Sequence, residues 1–225
     1  MATPIITAGG KERIESASAL YKDTFRDDPV ITYMLCNLSV EARHAYLMSY
    51  FRALMTGAGL NNAIFEEAAD WSACSVLMPP GCRADNTWTL FAAGLPQVLW
   101  NIGIKGCYRM LGEFSPLTDV AKAKGLKGAK EYWYVFFVAT EKASRGKGLS
   151  SALLQKAQER AQADGLPLWL EATTEYSWKL YARLGFETVE ELRLGGGVAA
   201  ADGIRSNGGP GLPIWAMVWW PPKTV

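Results

Sequence analysis

One stretch limits the possible folds more than any other: a buried strand that leads into a glycine loop and a helix. YWYVFFVAT, which ends at Thr140, is a continuous apolar, aromatic and β-branched run, typical of a strand buried on both faces. Arg145-Gly-Lys-Gly148 follows, and apolar residues then recur at helical spacing from Leu149 to a stop at Asp164-Gly165. Because LPLWLEA is typical of another buried strand, the segment predicts a βαβ unit with parallel strands and a right-handed crossover.

The remaining segments predict further strands and helices around this unit. The predicted strands are TPIIT, NAIFEEA and WSACSVLM (a hairpin joined at Ala69-Asp70), FETVEELRL and LPIWAMVWW. The spacing of apolar residues predicts helices over 11–25, from an N-cap at Ser39 to about Met55, and over about 176–184. We expect Gly57 and Gly59 to end the second of these helices.

An aromatic-rich stretch from Asp85 to about Leu111 predicts a helical insertion between the third and fourth strands. Its large side chains are expected to lie in the core or to wall a binding site: Trp88, Phe91, Trp100 and Tyr108. Lysines 122, 124, 127 and 130 are expected to face solvent. Near the C-terminus, GGGVAAADGIRSNGGPG is too poor in large apolar groups to pack tightly, so we predict a mobile loop.

Composition narrows the classes of function. The net charge of +1 and pI of about 7.6 give no long-range attraction to nucleic acid or to an acidic membrane surface. No secretory signal and no membrane-spanning apolar run is recognised, so we expect a cytoplasmic protein with no membrane partner. An apolar fraction of 49% in 225 residues is ample for one core, and we predict a single domain over residues 1–225.

The cysteines and the histidine exclude some kinds of site. The four cysteines form no C-x-x-C pair and His44 is the only histidine, so no metal site is expected. Since His44 lies on a predicted helix surface, a histidine general base or a Ser-His-Asp triad has little support.

The glycine loop itself predicts an anion site. At a strand-to-helix junction it presents backbone N–H groups at the positive end of the helix dipole, which favours phosphate. A P-loop needs a lysine and then a hydroxyl residue after its last glycine, but Leu149 and Ser150 follow Gly148. A Rossmann fingerprint needs a third glycine where Ser151 stands. Both common nucleotide loops are therefore excluded.

A third type of loop fits. RGKGLSSALL after a buried strand, then a strand ending in Leu170-Glu171-Ala172 and then YARLGF, resembles the GCN5-related N-acetyltransferase (GNAT) superfamily over about 132–186. FRDDP at 25–29 and MPPG at 78–81 are similar to puromycin N-acetyltransferase-like and fungal small-molecule acetyltransferases. The resemblance implies an α/β (α+β) fold with a mixed, mostly antiparallel central sheet. In that fold the fourth and fifth strands are the parallel pair, and helices flank the sheet.

The resemblance also implies an activity. The chain would be an N-acetyltransferase that moves an acetyl group from acetyl-coenzyme A (acetyl-CoA) to the amine of a small molecule, by direct attack in a ternary complex and without a metal. No cysteine stands where a covalent acetyl carrier is evident. One alternative acceptor is a protein lysine or N-terminus. Another alternative is a non-catalytic CoA sensor, since Lys142, Ala143 and Ser177 depart from the usual pattern. A monomer or a homodimer would be compatible.

Site residues follow from the same resemblance. The cofactor would contact Val138, Ala139, Thr140, Arg145, Gly146, Lys147, Gly148, Leu149, Ser150, Ser151 and Ser177. Tyr181 would donate a proton to the coenzyme A thiolate, and it would also pack on Phe186 at a helix end closed by Gly185.

Acidic residues are the candidates for handling the amine. An ionised carboxylate at the end of a buried strand is costly unless it has a partner, so Glu171 would act as general base or anchor the amine. A salt bridge to a nearby cation is the alternative for this residue. Weaker candidates for contact with the substrate are Asp28, Glu66 and Trp88.

Overall fold

A seven-stranded sheet forms the centre of the protein, in a computed structural model that describes residues 4–83 and 86–222. Its strands are β1 (Ile6–Gly9), β2 (Ile64–Ala68), β3 (Ala73–Met78), β4 (Trp133–Thr140), β5 (Leu168–Ala172), β6 (Glu187–Leu194) and β7 (Leu212–Trp219). The spatial order is β1-β2-β3-β4-β5-β7-β6. Among the strands of the described residues only β4 and β5 pair in parallel, which confirms the predicted mixed, mostly antiparallel sheet.

Helices cover both faces of this sheet. They are α1 (Ile14–Thr24), α2 (Pro29–Met34), α3 (Val40–Leu60), α4 (Thr87–Ala92), α5 (Leu95–Cys107), α6 (Ser115–Gly125), α7 (Leu149–Asp164) and α8 (Glu175–Arg183), with a π-helical segment at Tyr108–Phe114. The core on one face gathers apolar residues of α1, α2, α3, α5 and α6, and the core on the other face gathers those of α7 and α8. Among the described residues, no helix combines the length and apolar character needed to cross a bilayer.

Helix α3 begins as predicted but ends later. The Ser39 side chain accepts a hydrogen bond from the backbone N–H of Ala42, as expected of an N-cap. The predicted stop at Gly57 and Gly59 is wrong, because the helix continues to Leu60. A Cβ added at Gly59 would lie 3.1 Å from Cδ1 of Ile14, so this glycine allows α1 to approach closely.

The strands β4 and β5 pair over a short length only. Their register joins Trp133 to Leu168 and Tyr134 to Trp169, and no further pair follows although both strands continue. On its other edge β4 remains paired with β3 out to Thr140, with a bulge at Phe136. Consequently, in the described part of the chain, the edge of β4 from Val135 to Thr140 that faces β5 has no strand beside it.

The insertion between β3 and β4 is helical from Thr87 onward, as predicted, although its predicted start at Asp85 lies outside the described residues; its aromatic residues face outward. Trp88 and Trp100 are each 86% exposed, and Phe91 and Tyr108 are also mostly exposed. The expectation that these four side chains lie in the core or wall a site is therefore wrong. Smaller side chains of the insertion, Val98 and Ile102 among them, turn inward and are buried instead.

The glycine-rich segment between β6 and β7 is not the loosely packed loop that was predicted. Its backbone is hydrogen-bonded within itself, for example from the N–H of Gly211 to the carbonyl of Ala199 at 2.8 Å. Ala199 is fully buried, and a Cβ at Gly203 would collide with the carbonyl oxygen of Pro29. Small residues therefore let this segment pack backbone to backbone against α2.

Candidate active site

A cavity of about 1180 Å³ opens where β4 and β5 separate. It runs from the glycine loop, past the link between α1 and α2, to the insertion. The predicted cofactor residues that line it are Val138, Ala139, Thr140, Arg145, Gly146, Gly148, Leu149, Ser150, Ser151 and Ser177. Lys147 does not line the cavity; its Nζ lies 3.3 Å from Oγ of Ser144. The structure thus brings all but one of these residues to a single space.

The glycine loop has a conformation that few other residues adopt. Gly146 and Gly148 have φ values of +80° and +78°, and the space where a Cβ would stand is open. Gly148 is the N-cap of α7, so the N–H groups of the first helical turn have no acceptor within the helix. A hydrogen bond of 2.6 Å between Oγ1 of Thr140 and Oγ of Ser150 joins this turn to the end of β4.

Positive side chains line the cavity, two of them from the loop segment itself. Lys142, Arg145 and Arg183 all line it, and Nε of Arg145 lies 3.4 Å from the carbonyl oxygen of Thr140. Together with the free N–H groups and the dipole of α7, they favour a ligand with several phosphate charges. The residues present therefore fit a pyrophosphate.

Tyr181 lies buried on the cavity wall at the end of α8. The helix closes as predicted, with hydrogen bonds from Phe186 N–H to the Tyr181 carbonyl and from Gly185 N–H to the Ala182 carbonyl. Burial raises the pKa of the Tyr181 phenol well above its usual range, the charge of Asp28 adds to this, and Ser177 opposes it. The phenol is therefore protonated at neutral pH and can donate a proton.

Asp28 occupies the link between α1 and α2 and also lines the cavity. Its Oδ1 caps α2 by accepting hydrogen bonds from the N–H groups of Val30 and Ile31, at 2.9 and 3.1 Å. Its Oδ2 accepts a hydrogen bond of 2.7 Å from the Thr173 hydroxyl, just beyond β5. Burial nevertheless raises the pKa of Asp28 to about 6, because these three hydrogen bonds offset only part of the desolvation of the charge. Such a carboxylate can exchange a proton near neutral pH.

Glu171 also faces the cavity, but its carboxylate already has partners. The side chain is 4% exposed, and each oxygen accepts a hydrogen bond of 2.7 Å, one from the Trp169 indole and one from the Tyr134 hydroxyl. Nζ of Lys122 lies 3.7 Å from Oε1. Glu171 therefore forms the salt bridge that was the alternative prediction for this residue, and it also lines the cavity.

Two predicted substrate contacts lie elsewhere. Glu66 is fully buried and its Oε1 pairs with Arg160 of α7, at 2.7 Å, because the alternation along β2 directs it to the face that carries this helix. Trp88 is exposed to solvent. Neither residue lines the cavity.

The structure adds Lys122, which the sequence analysis assigned to solvent. Its side chain is 15% exposed and lines the cavity. A signal was present: Thr118, Ala121 and Gly125 are buried on α6, and Lys122 completes their i, i+3, i+4, i+7 pattern. The insertion contributes apolar side chains to the lining of the cavity: Leu90, Met110, Leu111 and Phe114.

Comparisons with known proteins agree with this geometry. The model of the acetyltransferase (GNAT) family matches residues 105–186. An uncharacterized N-acetyltransferase of Schizosaccharomyces pombe is 28% identical over 173 residues, which are 76% of this chain and 70% of the relative. Two solved structures share the fold over nearly their whole length. One, a histone acetyltransferase HPA2 and related acetyltransferase from Corynebacterium glutamicum, has a TM-score of 0.65 at 20% identity, covering 100% of this chain and 99% of that one. The other, arylalkylamine N-acetyltransferase 2 from Aedes aegypti, has 0.63 at 18% identity, covering 97% and 99%.

Proposed function

Since the chain belongs to the GNAT superfamily of acetyltransferases, we propose that it transfers the acetyl group of acetyl-CoA to the amine of a small molecule. One observation carries the proposal: a single cavity is lined by an anion-binding glycine loop, a carboxylate whose pKa is about 6, and a protonated tyrosine. A small acceptor with an apolar part is favoured because the insertion lines that cavity with apolar side chains. The name of the Aedes enzyme, which refers to arylalkylamines, supports the same class of acceptor.

Acetyl-CoA would supply the thioester carbonyl, and this chain's residues would hold the molecule. The loop around Gly146 and Gly148, with Lys142, Arg145 and Arg183, has the charge and the free N–H groups that a pyrophosphate needs. The unpaired edge of β4 at 138–140 offers backbone groups to the amides of the pantetheine arm. A backbone N–H on this edge could stabilise negative charge on the carbonyl oxygen.

Asp28 is the proposed acceptor of the amine proton. A free alkylamine has a pKa near 10.4, so at neutral pH fewer than about one molecule in a thousand can attack. With a pKa of about 6, Asp28 is mainly ionised at pH 7 and can accept this proton, directly or through a water molecule. Glu171 is the second candidate, but its oxygens already accept hydrogen bonds from Trp169 and Tyr134.

Tyr181 is the proposed proton donor to the departing thiolate. Burial and the negative charge of Asp28 both raise the pKa of Tyr181, so its phenol stays protonated at neutral pH. We propose direct attack of the amine, without a covalent acetyl-enzyme. The alternative, transfer through a covalent acetyl-cysteine, would need a thiol in the cavity. Cys82 lines the cavity, so removing its thiol tests this part of the proposal.

The test is turnover with a panel of acceptors. The purified protein would be mixed with acetyl-CoA and with small amines or lysine-containing peptides, and thiol release and product mass would be measured. Acetylation of small amines with the higher kcat/KM supports the proposal. Turnover on peptides alone would instead favour a protein acceptor. Binding of acetyl-CoA without turnover on any amine would favour the sensor.

A further inference from the structure

A group of large apolar side chains on the outward side of the insertion is left uncovered by the described part of the chain. Trp88 and Trp100 are each 86% exposed, and Ile104 is 80% exposed. Single exposed apolar residues are common, but this group holds more than half of the exposed large apolar side chains among the described residues. We call it the aromatic face; its members are Trp88, Phe91, Leu99, Trp100, Ile104, Tyr108 and Leu111.

The helices that carry the aromatic face are fixed to the body of the protein. Helices α4 and α5 contact each other across Gly94, and α5 buries Ile102 in the core. The Asn37 side chain donates a hydrogen bond of 2.6 Å to the carbonyl of Ile102, and Arg109 donates one of 3.1 Å to the carbonyl of Met34. Because these contacts hold the inward side in place, a partner of the aromatic face has little of it to order.

The aromatic face has the area of a protein–protein interface. Large aromatic side chains bury about 150–250 Å² each, so at their observed exposures the four aromatic members leave roughly 600 Å² open. The three aliphatic members bring the open area to roughly 700–800 Å². The largest apolar patch of a typical monomer has about 300–600 Å², whereas each partner of a stable complex contributes about 800 Å².

The charges around the aromatic face favour a second copy of the chain over a membrane. The sequence has no charged residue over 86–104. Beyond it, Arg109 and Glu113 are hydrogen-bonded to residues of α2, and Lys105 is exposed. An acidic membrane surface is bound through clusters of lysine and arginine, which this face lacks. A two-fold interface brings the same patch of both copies together, so a patch almost without charge avoids repulsion between like charges.

We propose that a second copy of this chain covers the aromatic face, in a dimer with two-fold symmetry. The dimer would bury roughly 1,500 Å² in total, which is the size of a standard stable interface. Aromatic side chains, which are enriched in interface cores, would lie at its centre. Leu111 belongs to the aromatic face and also lines the cavity, so the interface would border the cavity on the side of the insertion.

The experiment measures the mass of the purified protein by sedimentation velocity and light scattering, over concentrations that extend well above the micromolar range. We expect twice the mass of one chain for the wild-type protein. Trp100→Glu should raise the dissociation constant of the dimer by roughly 10³-fold, because a two-fold dimer loses this side chain twice and gains two like charges. Trp88→Glu should act in the same way from α4. Ile204→Glu is the matched control, since Ile204 is 55% exposed but lies outside the insertion, and it should stay dimeric.

Thermal unfolding provides the check that the variants are folded, and neither tryptophan contributes to the core. A wild-type protein that stays monomeric overturns the proposal. A dimer that survives in both folded tryptophan variants also overturns it, because its interface then lies elsewhere. The same protein would be sedimented with phosphatidylcholine vesicles. A monomer that binds these vesicles, and that loses the binding in Trp100→Glu, would show that lipid covers the aromatic face instead.

Discussion

Replacement of Asp28 by asparagine tests two effects of one buried charge, on the stability of the folded protein and on catalysis. Asparagine is nearly isosteric with aspartate and is an equally good N-cap, so Asp28→Asn can keep the hydrogen bonds from Val30 and Ile31. The amide can also donate to the Thr173 hydroxyl. The substitution therefore removes the charge and the proton-accepting group while the local structure is retained.

The magnitude follows from the pKa of Asp28. Folding raises the pKa of Asp28 from 3.8 to about 6, so ionisation of this carboxyl opposes folding. The protonated carboxyl leaves the free energy of unfolding at its full value below pH 3.8, and part of this free energy is lost as the pH rises through 6. At about 1.36 kcal/mol per pH unit, the loss at pH 8 amounts to about 3 kcal/mol. Since Asp28 is only half-buried by its exposed area, water in the cavity makes this an upper limit.

We therefore expect Asp28→Asn to unfold at a higher temperature than the wild-type protein at pH 8, by roughly 2–4 °C for each kcal/mol gained. The two proteins should become equally stable near pH 4. Circular dichroism or calorimetric melts at both pH values provide the measurement, with Asp27→Asn as control because Asp27 is its exposed neighbour. A gain that is absent at pH 8, or that is as large at pH 4, would refute the reasoning.

The same variant should lose activity. Without Asp28 we expect kcat/KM for an amine to fall by about 10²–10⁴-fold, whereas the wild-type profile should rise with pH through about 6. Glu171→Gln provides the comparison. If Glu171→Gln removes activity and Asp28→Asn does not, the base is Glu171.

Three further predictions concern the rest of the cavity. Tyr181→Phe keeps the ring that packs on Phe186 and should lower kcat by about 10–100-fold with little change in melting temperature; an unchanged rate across the pH range would remove Tyr181 from the donor role. Gly148→Ala should raise the KM for acetyl-CoA, while Gly165→Ala, strained alike by a φ of +67° at the other end of α7, should cost a similar 1–2 kcal/mol and leave that KM unchanged. If both variants shift the KM equally, the loop assignment fails. Cys82→Ala should remain active, and complete loss of turnover in a folded variant would point to a covalent acetyl carrier.

The features that the sequence predicted correctly are those encoded locally. The apolar run of β4, the glycine before α7 and the glycine after it lie within one continuous stretch, so the βαβ unit follows from neighbouring residues alone. The end of α8 is similar, because Gly185 and Phe186 determine its closure within six residues.

The features that the sequence did not reveal depend on distant contacts. Asp28 meets Thr173 across 145 positions, and the pKa of Asp28 is raised by burial, which exists only once distant parts of the chain have packed around this residue. The outward side of the insertion shows the converse: its aromatic residues have the composition of a core, but Val98 and Ile102 occupy the inward positions. A helix can direct either set inward, and only packing against the rest of the chain decides between them.

The central claim, acetyl transfer from acetyl-CoA to a small amine, is tested most directly by measuring free thiol and N-acetylated product in the same reaction over time. The account predicts that both appear in equal amounts, that neither forms without the amine, and that the rate falls when Asp28 is replaced by asparagine. Thiol release without an N-acetylated product, or no thiol release with any small amine, would contradict it.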